Sequence, residues 1–378
     1  MPWEFEKVYE AAVSSSPKQM LFDGRYLWVT TDFSVLIYEF FGESSDHEPT
    51  FEELDQLVID RYDAKIKLIE TIPVPNGAYW IARGNRNTYI GNAAMMTSIS
   101  IINNSTRKVD RTVTLPEEMN SNLIVADRYI WMASKSPKPS SDRQLLWRWD
   151  GSNGWADIEI PTRKQLARIV ISQGNNGSLY LTNFNNVAIC KFDVSNGAFQ
   201  KAIRTNAFPQ NILTTSNRDI YVSSFAGMLS KVDGSTDSVT HPHSTLDVAV
   251  SMAYQPNSNY IWFLNSNGRL GRLNTADNSV FFSKPKETLV LEDDWELSLS
   301  KFSDQAFSSL LITPEFSYKQ LIGGTWKKIT VKPYLIVLGG SKIMAVRLDR
   351  PLYRGLDISV QARAMISTGP EDYMGEIG

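Results

Sequence analysis

The chain has 378 residues, 42% hydrophobic and 21% charged, with 38 Lys and Arg against 41 Asp and Glu. That composition excludes a disordered chain, and a net charge of −3 argues against the basic surface on which duplex binding depends. The single cysteine, Cys190, excludes an intrachain disulfide and reads as a small buried hydrophobe.

Residues 1–7, Met-Pro-Trp-Glu-Phe-Glu-Lys, lack the basic segment and apolar core of a secretory leader. No apolar run reaches the ~18 residues that a membrane helix needs, so no membrane partner is expected. Trp3 to Tyr9 alternates apolar and polar residues, the period of a half-buried strand. Asp23-Gly24 then supplies turn chemistry, and Tyr26-Leu27-Trp28-Val29-Thr30 is made of strand formers. The same turn-then-aromatic-strand pattern returns down the chain. Aligning Trp28, Trp80, Trp131, Tyr180, Tyr221 and Trp262 gives steps of 52, 51, 49, 41 and 41 residues. Repeats at that period indicate the blades of a propeller. The early strand Trp3 to Tyr9 then has the place of a closing strand, which completes the last blade and removes a sheet edge.

Blade one is predicted at 18–22, 26–30, 35–40 and 65–71. Residues 42–63 interrupt it with Glu43, Asp46, Glu48, Glu52, Glu53, Asp55, Asp60 and Asp63 against one Arg61. Thr50 and Glu53 form a capping box, and Phe51, Leu54, Leu57 and Val58 follow at helical spacing. The spacing predicts a short amphipathic helix over 51–62, either a solvated flap or an acidic contact surface. Blades two and three are expected over 72–115 and 122–160, the latter with a tight turn from Trp149 to Trp155. Blades four, five and six follow at 167–203, 211–240 and 247–283. Beyond Ser283, Trp295–Phe302 and Phe307–Thr313 read as the first two strands of a seventh blade. Hairpins follow at 318–331 and 334–348. The count is seven blades with one inserted hairpin, or else eight; seven is favoured. The tail 351–378 does not carry the repeat and holds one strand candidate, 356–362.

Chemistry is sparse. The three histidines are His47, in the acidic insertion, and His241 and His243, between blades five and six. A His-x-His pair needs a third converging ligand to hold a metal. The carboxylate run Glu292 to Glu296 lacks the spacing of a calcium loop and reads as a connector. No nucleophile elbow or phosphate-binding glycine loop is present. The basic groups Arg163, Lys164, Arg168 and Lys327, Lys328, Lys332 are far apart in sequence, so nucleic acid is not an expected partner.

The stretch Asp23-Gly24-Arg25-Tyr26-Leu27-Trp28-Val29-Thr30-Thr31 resembles the Asp-Gly-x-x-x-Trp-Phe-Thr-Glu repeat of streptogramin-lyase-like propellers. More broadly, residues 18–350 are similar to lyase-like and YVTN-like β-propellers. The resemblance implies the fold and, for the lyases, a histidine facing a central site. A propeller without a catalytic signature is also similar to structural proteins of tailed-phage particles.

The expectation is therefore an all-β chain: a single β-propeller over 1–350 and a C-terminal extension, 351–378, that docks on a neighbour. It is expected to be non-enzymatic, with no catalytic, cofactor or metal residues. It would act as a structural or protein-interaction module of a large assembly, in a virion or otherwise in the cytoplasm. Phe51, Leu54 and Val58 of the insertion and Tyr353, Ile358, Tyr373 and Met374 of the tail are the candidate contacts with other proteins. The alternative is a glycan-binding or lyase- or hydrolase-type propeller using its central channel.

Overall fold

The computed structural model describes residues 7–12, 17–41, 65–161, 169–282 and 307–347, apart from 139, 141–142, 153, 175, 184–186, 206–207, 217, 226, 245–248, 256–257, 266–269, 278–279, 323–324, 332 and 340–341. Among the described residues all regular structure is β. The strand β1 (Lys7–Ala12) comes first. The first sheet is β2 (Met20–Phe22), β3 (Tyr26–Thr30), β4 (Ser34–Phe41) and β5 (Lys65–Pro73). The second is β6 (Trp80–Arg83), β7 (Asn87–Gly91), β8 (Met96–Asn103) and β9 (Val109–Met119). The third is β10 (Ile124–Ala126), β11 (Tyr129–Lys138), β12 (Arg143–Trp149) and β13 (Trp155–Glu159). A single pair, Ser134 with Met119, joins these two sheets.

The fourth sheet is β14 (Ile171–Gln173), β15 (Ser178–Asn183), β16 (Ala188–Asp193) and β17 (Phe199–Arg204). The fifth is β18 (Pro209–Thr214), β19 (Ile220–Ser224), β20 (Met228–Val232) and β21 (Val239–Ser244). The sixth is β22 (Ala249–Tyr254), β23 (Tyr260–Asn265), β24 (Leu270–Asn274) and β25 (Val280–Phe282). Then come β26 (Phe307–Ile312), the hairpin β27 (Phe316–Ile322) and β28 (Thr325–Val331), β29 (Tyr334–Gly339) and β30 (Lys342–Arg347). The last four-stranded sheet runs β26–β29–β30–β1, so it unites strands from both ends of the described chain.

The first strands touch in succession: β2 meets β6, β6 meets β10, and so on through β14, β18, β22 and β26, which meets β2 again. Sheets arranged in this way cover one another's faces, which explains the sequence pattern. Second strands have both faces covered and read as unbroken apolar runs. All five residues of β19 are buried, whereas β17, a fourth strand, is exposed at every position but Ile203.

Trp28, Trp131, Tyr180, Tyr221 and Trp262 all lie on second strands, as the repeat requires. Trp80 does not. It is on β6, a first strand, and Tyr89 on β7 takes the place of Trp28. The alignment through Trp80 was wrong because Asn76-Gly77 is a turn between sheets, with Gly77 N donating to Val74 O. The corrected steps are 61 from Trp28 to Tyr89 and 42 from Tyr89 to Trp131. The long step is the one that contains the acidic insertion.

A second correction concerns Phe307 to Thr313. It was expected as the second strand of its blade; β26 is the first, set between β22 and β2. The expected helix 51–62, the strand 295–302 and the tail 351–378 lie outside the described residues.

Where seen, the aromatic's polar end is tied to its own turn. Trp28 Nε1 donates to Asp23 Oδ2 at 2.8 Å, Trp131 Nε1 to Ala126 O at 3.4 Å and Trp262 Nε1 to Gln255 Oε1 at 3.1 Å. Asn176 Nδ2 donates to Tyr180 Oη at 2.9 Å. Tyr221 differs: its buried hydroxyl has no hydrogen-bond partner among the described residues, and burial pushes its pKa up.

The connection between third and fourth strands repeats too. Asp150, Asp193 and Asp233 each accept from the backbone N–H two residues on, at 2.8 Å, as does Asn103 at 2.9 Å. These Asx turns set the next residues in a tight loop. Each loop meets the preceding sheet. Arg107 lies 4.3 Å over the Tyr26 ring and 3.1 Å from Glu70, and Arg111 donates to Gly151 O at 2.7 Å. Arg148 donates to Ser195 O at 3.3 Å, and Lys191 pairs with Asp237 at 2.8 Å.

Two predictions follow from this packing. Trp131→Ala should cost about 3–5 kcal/mol in urea unfolding, as for other buried aromatics. Tyr221→Phe removes an unpaired buried hydroxyl and should be neutral or stabilise by about 1 kcal/mol.

Hydrogen bonds hold the carboxyls of Asp150, Asp193 and Asp233 below the usual Asp value. Those from the Ser152 and Ser195 side chains lead in the first two, and one from Thr236 N in the third. A carboxylate whose pKa is lower folded than unfolded stabilises the fold above its unfolded value, about 3.9. That stability is lost as pH falls through the folded values. Carboxyl NMR titration should find all three midpoints below about 3.9, with thermal stability declining over the same acid range; midpoints at or above it would refute the turn geometry.

Candidate functional site: the hub cavity

A largely open cavity of about 350 Å³ is bordered by residues of four first strands, β2, β6, β10 and β26, and of the segments leading into them. Met20, Leu21, Ile81, Ala82 and Leu123–Val125 are its apolar members, and Gln19, Arg83, Asn122 and Ser309 its polar ones.

Three of these polar groups are already engaged. Gln19 Oε1 accepts from Ile81 N at 3.3 Å, across from the first sheet to the second. Asn122 bridges to the fourth sheet with both ends of its amide, accepting from Ile171 N at 2.7 Å and donating to Ile171 O at 2.9 Å. Arg83 is the one ionisable residue bordering the cavity among the described residues. Its Nη1 lies 3.2 Å from Asp23 Oδ2 as an ion pair without hydrogen-bond geometry, so that this buried nitrogen has no hydrogen-bond partner among the described residues, and the guanidinium lies 5.5 Å over the Trp28 ring. Asp23 in turn accepts from Arg25 N at 2.9 Å, Tyr26 N at 2.7 Å and the Trp28 indole. The guanidinium is thus neutralised by a carboxylate that its own turn holds in place.

The same arrangement continues around the hub. Asn211 Nδ2 donates to Ala249 O at 3.1 Å, and Leu310 N donates to Ser251 Oγ at 3.0 Å. By strand register Gln19, Asn122, Asn211 and Ser251 occupy one place, two residues before the first-strand partner of the aromatic position. Three consecutive first strands share a bulge at this point, Pro209/Asn211, Ala249/Ser251 and Phe307/Ser309. Sequence reasoning missed these residues. The signal was an amide or hydroxyl recurring upstream of four of the turns, which the aromatic pattern overshadowed.

The residues singled out from sequence do not gather at the cavity. His241 and His243 are on β21, the outermost strand of its sheet, three strands from β18. Cys190 is buried in β16, as expected. His47, Phe51, Leu54, Val58, Tyr353, Ile358, Tyr373 and Met374 lie outside the described residues. Among the described residues no three His, Cys, Asp or Glu side chains are grouped as metal ligands would be, and no helix is long and apolar enough to cross a membrane.

No protein-family model matches the chain, and no curated protein does. Among solved structures, it is similar to selenomethionine-substituted virginiamycin B lyase from Staphylococcus aureus, with a TM-score of 0.60 and 13% identity. The match covers 91% of this chain and 100% of the lyase chain. The fold is a β-propeller. At 13% identity the likeness speaks for the architecture alone, and the chemistry of this propeller has to be argued from its own hub.

Asn122 gives the sharpest test of that hub. Asn122→Ala leaves Ile171 N and O without their partner and should cost about 1–3 kcal/mol in chemical unfolding. Asn122→Asp keeps one acceptor and should retain part of that stability; equal loss in both variants would refute the bridging role.

Proposed function

We propose that the chain is a seven-bladed propeller without catalytic activity, serving as a structural and protein-interaction module in a large assembly. The blade reading takes β26–β29–β30–β1 as the seventh blade, closed by β1. It is supported by the pairing of β1 with β30, from Lys7 opposite Val346 to Ala12 opposite Lys342, and by the cyclic contact of first strands.

The observation that carries the non-enzymatic reading is the engagement of the hub's polar groups. A propeller enzyme acting at its axis needs groups there that are available to substrate. Here Gln19 and Asn122 hold neighbouring blades together, and Arg83 is paired with Asp23. Glycoside chemistry would call for two carboxylates flanking a bond, and none borders the cavity among the described residues. The lyase-like resemblance implies a histidine at a central site. Of the three histidines, two are on the outermost strand of blade five and the third belongs to the insertion in blade one.

The interaction reading draws on the departures from the repeat, since insertions in repeat proteins fall on loops and loops carry contacts. They are the insertion 42–63 and the hairpin β27–β28, both within residues 1–350, and the tail 351–378 that follows them. The proposed assembly is a particle of the tailed-phage type, by likeness to the ring modules of such particles. Its partners are other proteins.

The test is deletion of residues 351–378, read by co-purification from native material. The expected outcome is a folded propeller that no longer joins its assembly. Unchanged incorporation would overturn the docking role of the tail. Purified full-length protein is also expected to leave a streptogramin B lactone and a panel of glycans intact; turnover abolished by Arg83→Ala would overturn the non-enzymatic reading.

A further inference from the structure

How this chain completes an indole is visible at Trp28. Its Nε1 donates to Asp23 Oδ2 at 2.8 Å, and Arg83 both pairs with that carboxylate and lies 5.5 Å over the ring. Indole, carboxylate and guanidinium make a set of three. The carboxylate holds the ring N–H, and the cation neutralises the carboxylate and covers the ring.

The first two members of such a set recur at the seam between the second and third sheets. Trp147 Nε1, on β12, donates to Glu117 Oε1, on β9, at 2.6 Å. Both residues are half-buried. Burial pushes the Glu117 carboxyl above its usual pKa, against the pull of the Trp147 hydrogen bond, and the charge of Asp157 adds to the rise. Asp157 is directly opposite Trp147 in the ladder. The nearby cations serve other carboxylates: Lys135 pairs with Glu118 at 3.3 Å and Arg143 with Glu159 at 3.9 Å. Among the described residues no Lys or Arg pairs with Glu117 or lies over the rings of Trp147 and Trp155.

The repeat does not account for this indole. By register Trp147 is paired with Met132, the residue after the aromatic position. Leu36, Ser100, Cys190, Ser230 and Gly271 hold that place in the other five of the first six sheets, and all are buried. A place that five sheets fill with residues no larger than leucine does not need an indole for its packing. Trp147 crosses Trp155 at 78°, with centroids 6.2 Å apart, and Trp155 has Trp149 stacked on it at 5.1 Å. No ring is stacked flat on Trp147 among the described residues.

We propose that Trp147 and Glu117 form a docking site for an arginine side chain of a partner protein. The partner's guanidinium takes the place at Trp147 and Glu117 that Arg83 takes at Trp28 and Asp23. Arginine suits it better than lysine, because a planar guanidinium can lie on an indole while its fork of donors meets a carboxylate. The inference gives the interaction reading a partner chemistry. It is tested on the full chain by itself, so its failure and a failure of the tail to dock are separate results.

The probe is N-acetyl-arginine amide, with the uncharged N-acetyl-citrulline amide as control, read by indole and carboxyl NMR. In the chain alone the Glu117 midpoint should lie above about 4.3, and it should not depend on protein concentration. The arginine probe should move the Trp147 Nε1–H and Glu117 carboxyl signals saturably. It should also lower the Glu117 midpoint, since a nearby cation favours the ionised form. The citrulline probe should do neither. Glu117→Gln keeps an acceptor for the indole and should weaken binding about tenfold. Trp147→Leu should weaken it about fivefold. The Trp131 indole signal, unchanged in both variants, shows that the fold is kept. A Glu117 midpoint below about 4.3 in the dilute chain would mean that the chain fills the site itself. A midpoint that falls as the protein is concentrated would make a second copy the occupant. Either result overturns the proposal, as does an absent response to the arginine probe or an equal response to citrulline.

Discussion

The first strand of each sheet has a strand beside it on one edge only, and the rest of the structure depends on how its other edge is satisfied. An uncovered edge leaves backbone donors and acceptors without partners. Successive first strands touch one another, but among the described residues no continuous ladder runs between them. One isolated parallel bridge, Ser121 with Ile169, is the backbone's share between sheets three and four. Side chains do the remaining work there, with Asn122 serving both the N–H and the carbonyl of Ile171. Thr30 Oγ1 donates to Tyr79 O at 2.9 Å between sheets one and two.

This constraint bears on function. Groups that hold the ring together are not available to a ligand, and the polar residues bordering the cavity are largely of that kind. The Arg83–Asp23 pair illustrates the point. Only 5% of the Asp23 side chain is exposed, so a carboxylate there needs its partners, and an arginine lent to a substrate would leave that charge uncompensated. Variation is left to the connections at the ends of the blades, where residues 42–64 and the hairpin are inserted without disturbing a first strand.

The outer part of each blade has its own device. Asx turns shape the loops before the fourth strands, and cations or amides tie them to the preceding blade. Lys191 and Asn176 reach Asp237 and Gly234 O, and Arg148 reaches Ser195 O. Gly197 sits where an added Cβ would meet Ile158 and Trp131 of the blade before it. Its φ of +78° is another reason that only glycine suits the site. Inner edges and outer turns therefore carry separate sets of inter-blade contacts, and the apolar faces are buried between them.

The sequence alone determined that the chain is a repeat of turn and aromatic strand, because a strand covered on both faces must be apolar without interruption. Trp28, Trp131, Tyr180, Tyr221 and Trp262 were legible for that reason. Trp80 misled because a buried tryptophan after Asn-Gly looks the same on a first strand as on a second; only pairing with β7 tells them apart. The partnership of β1 with β30, the place of β26 and the service of Gln19, Asn122, Asn211 and Ser251 to the next blade were decided by the tertiary structure. Each is a contact between residues far apart in the chain, and a local pattern records what a residue needs without recording which distant residue supplies it.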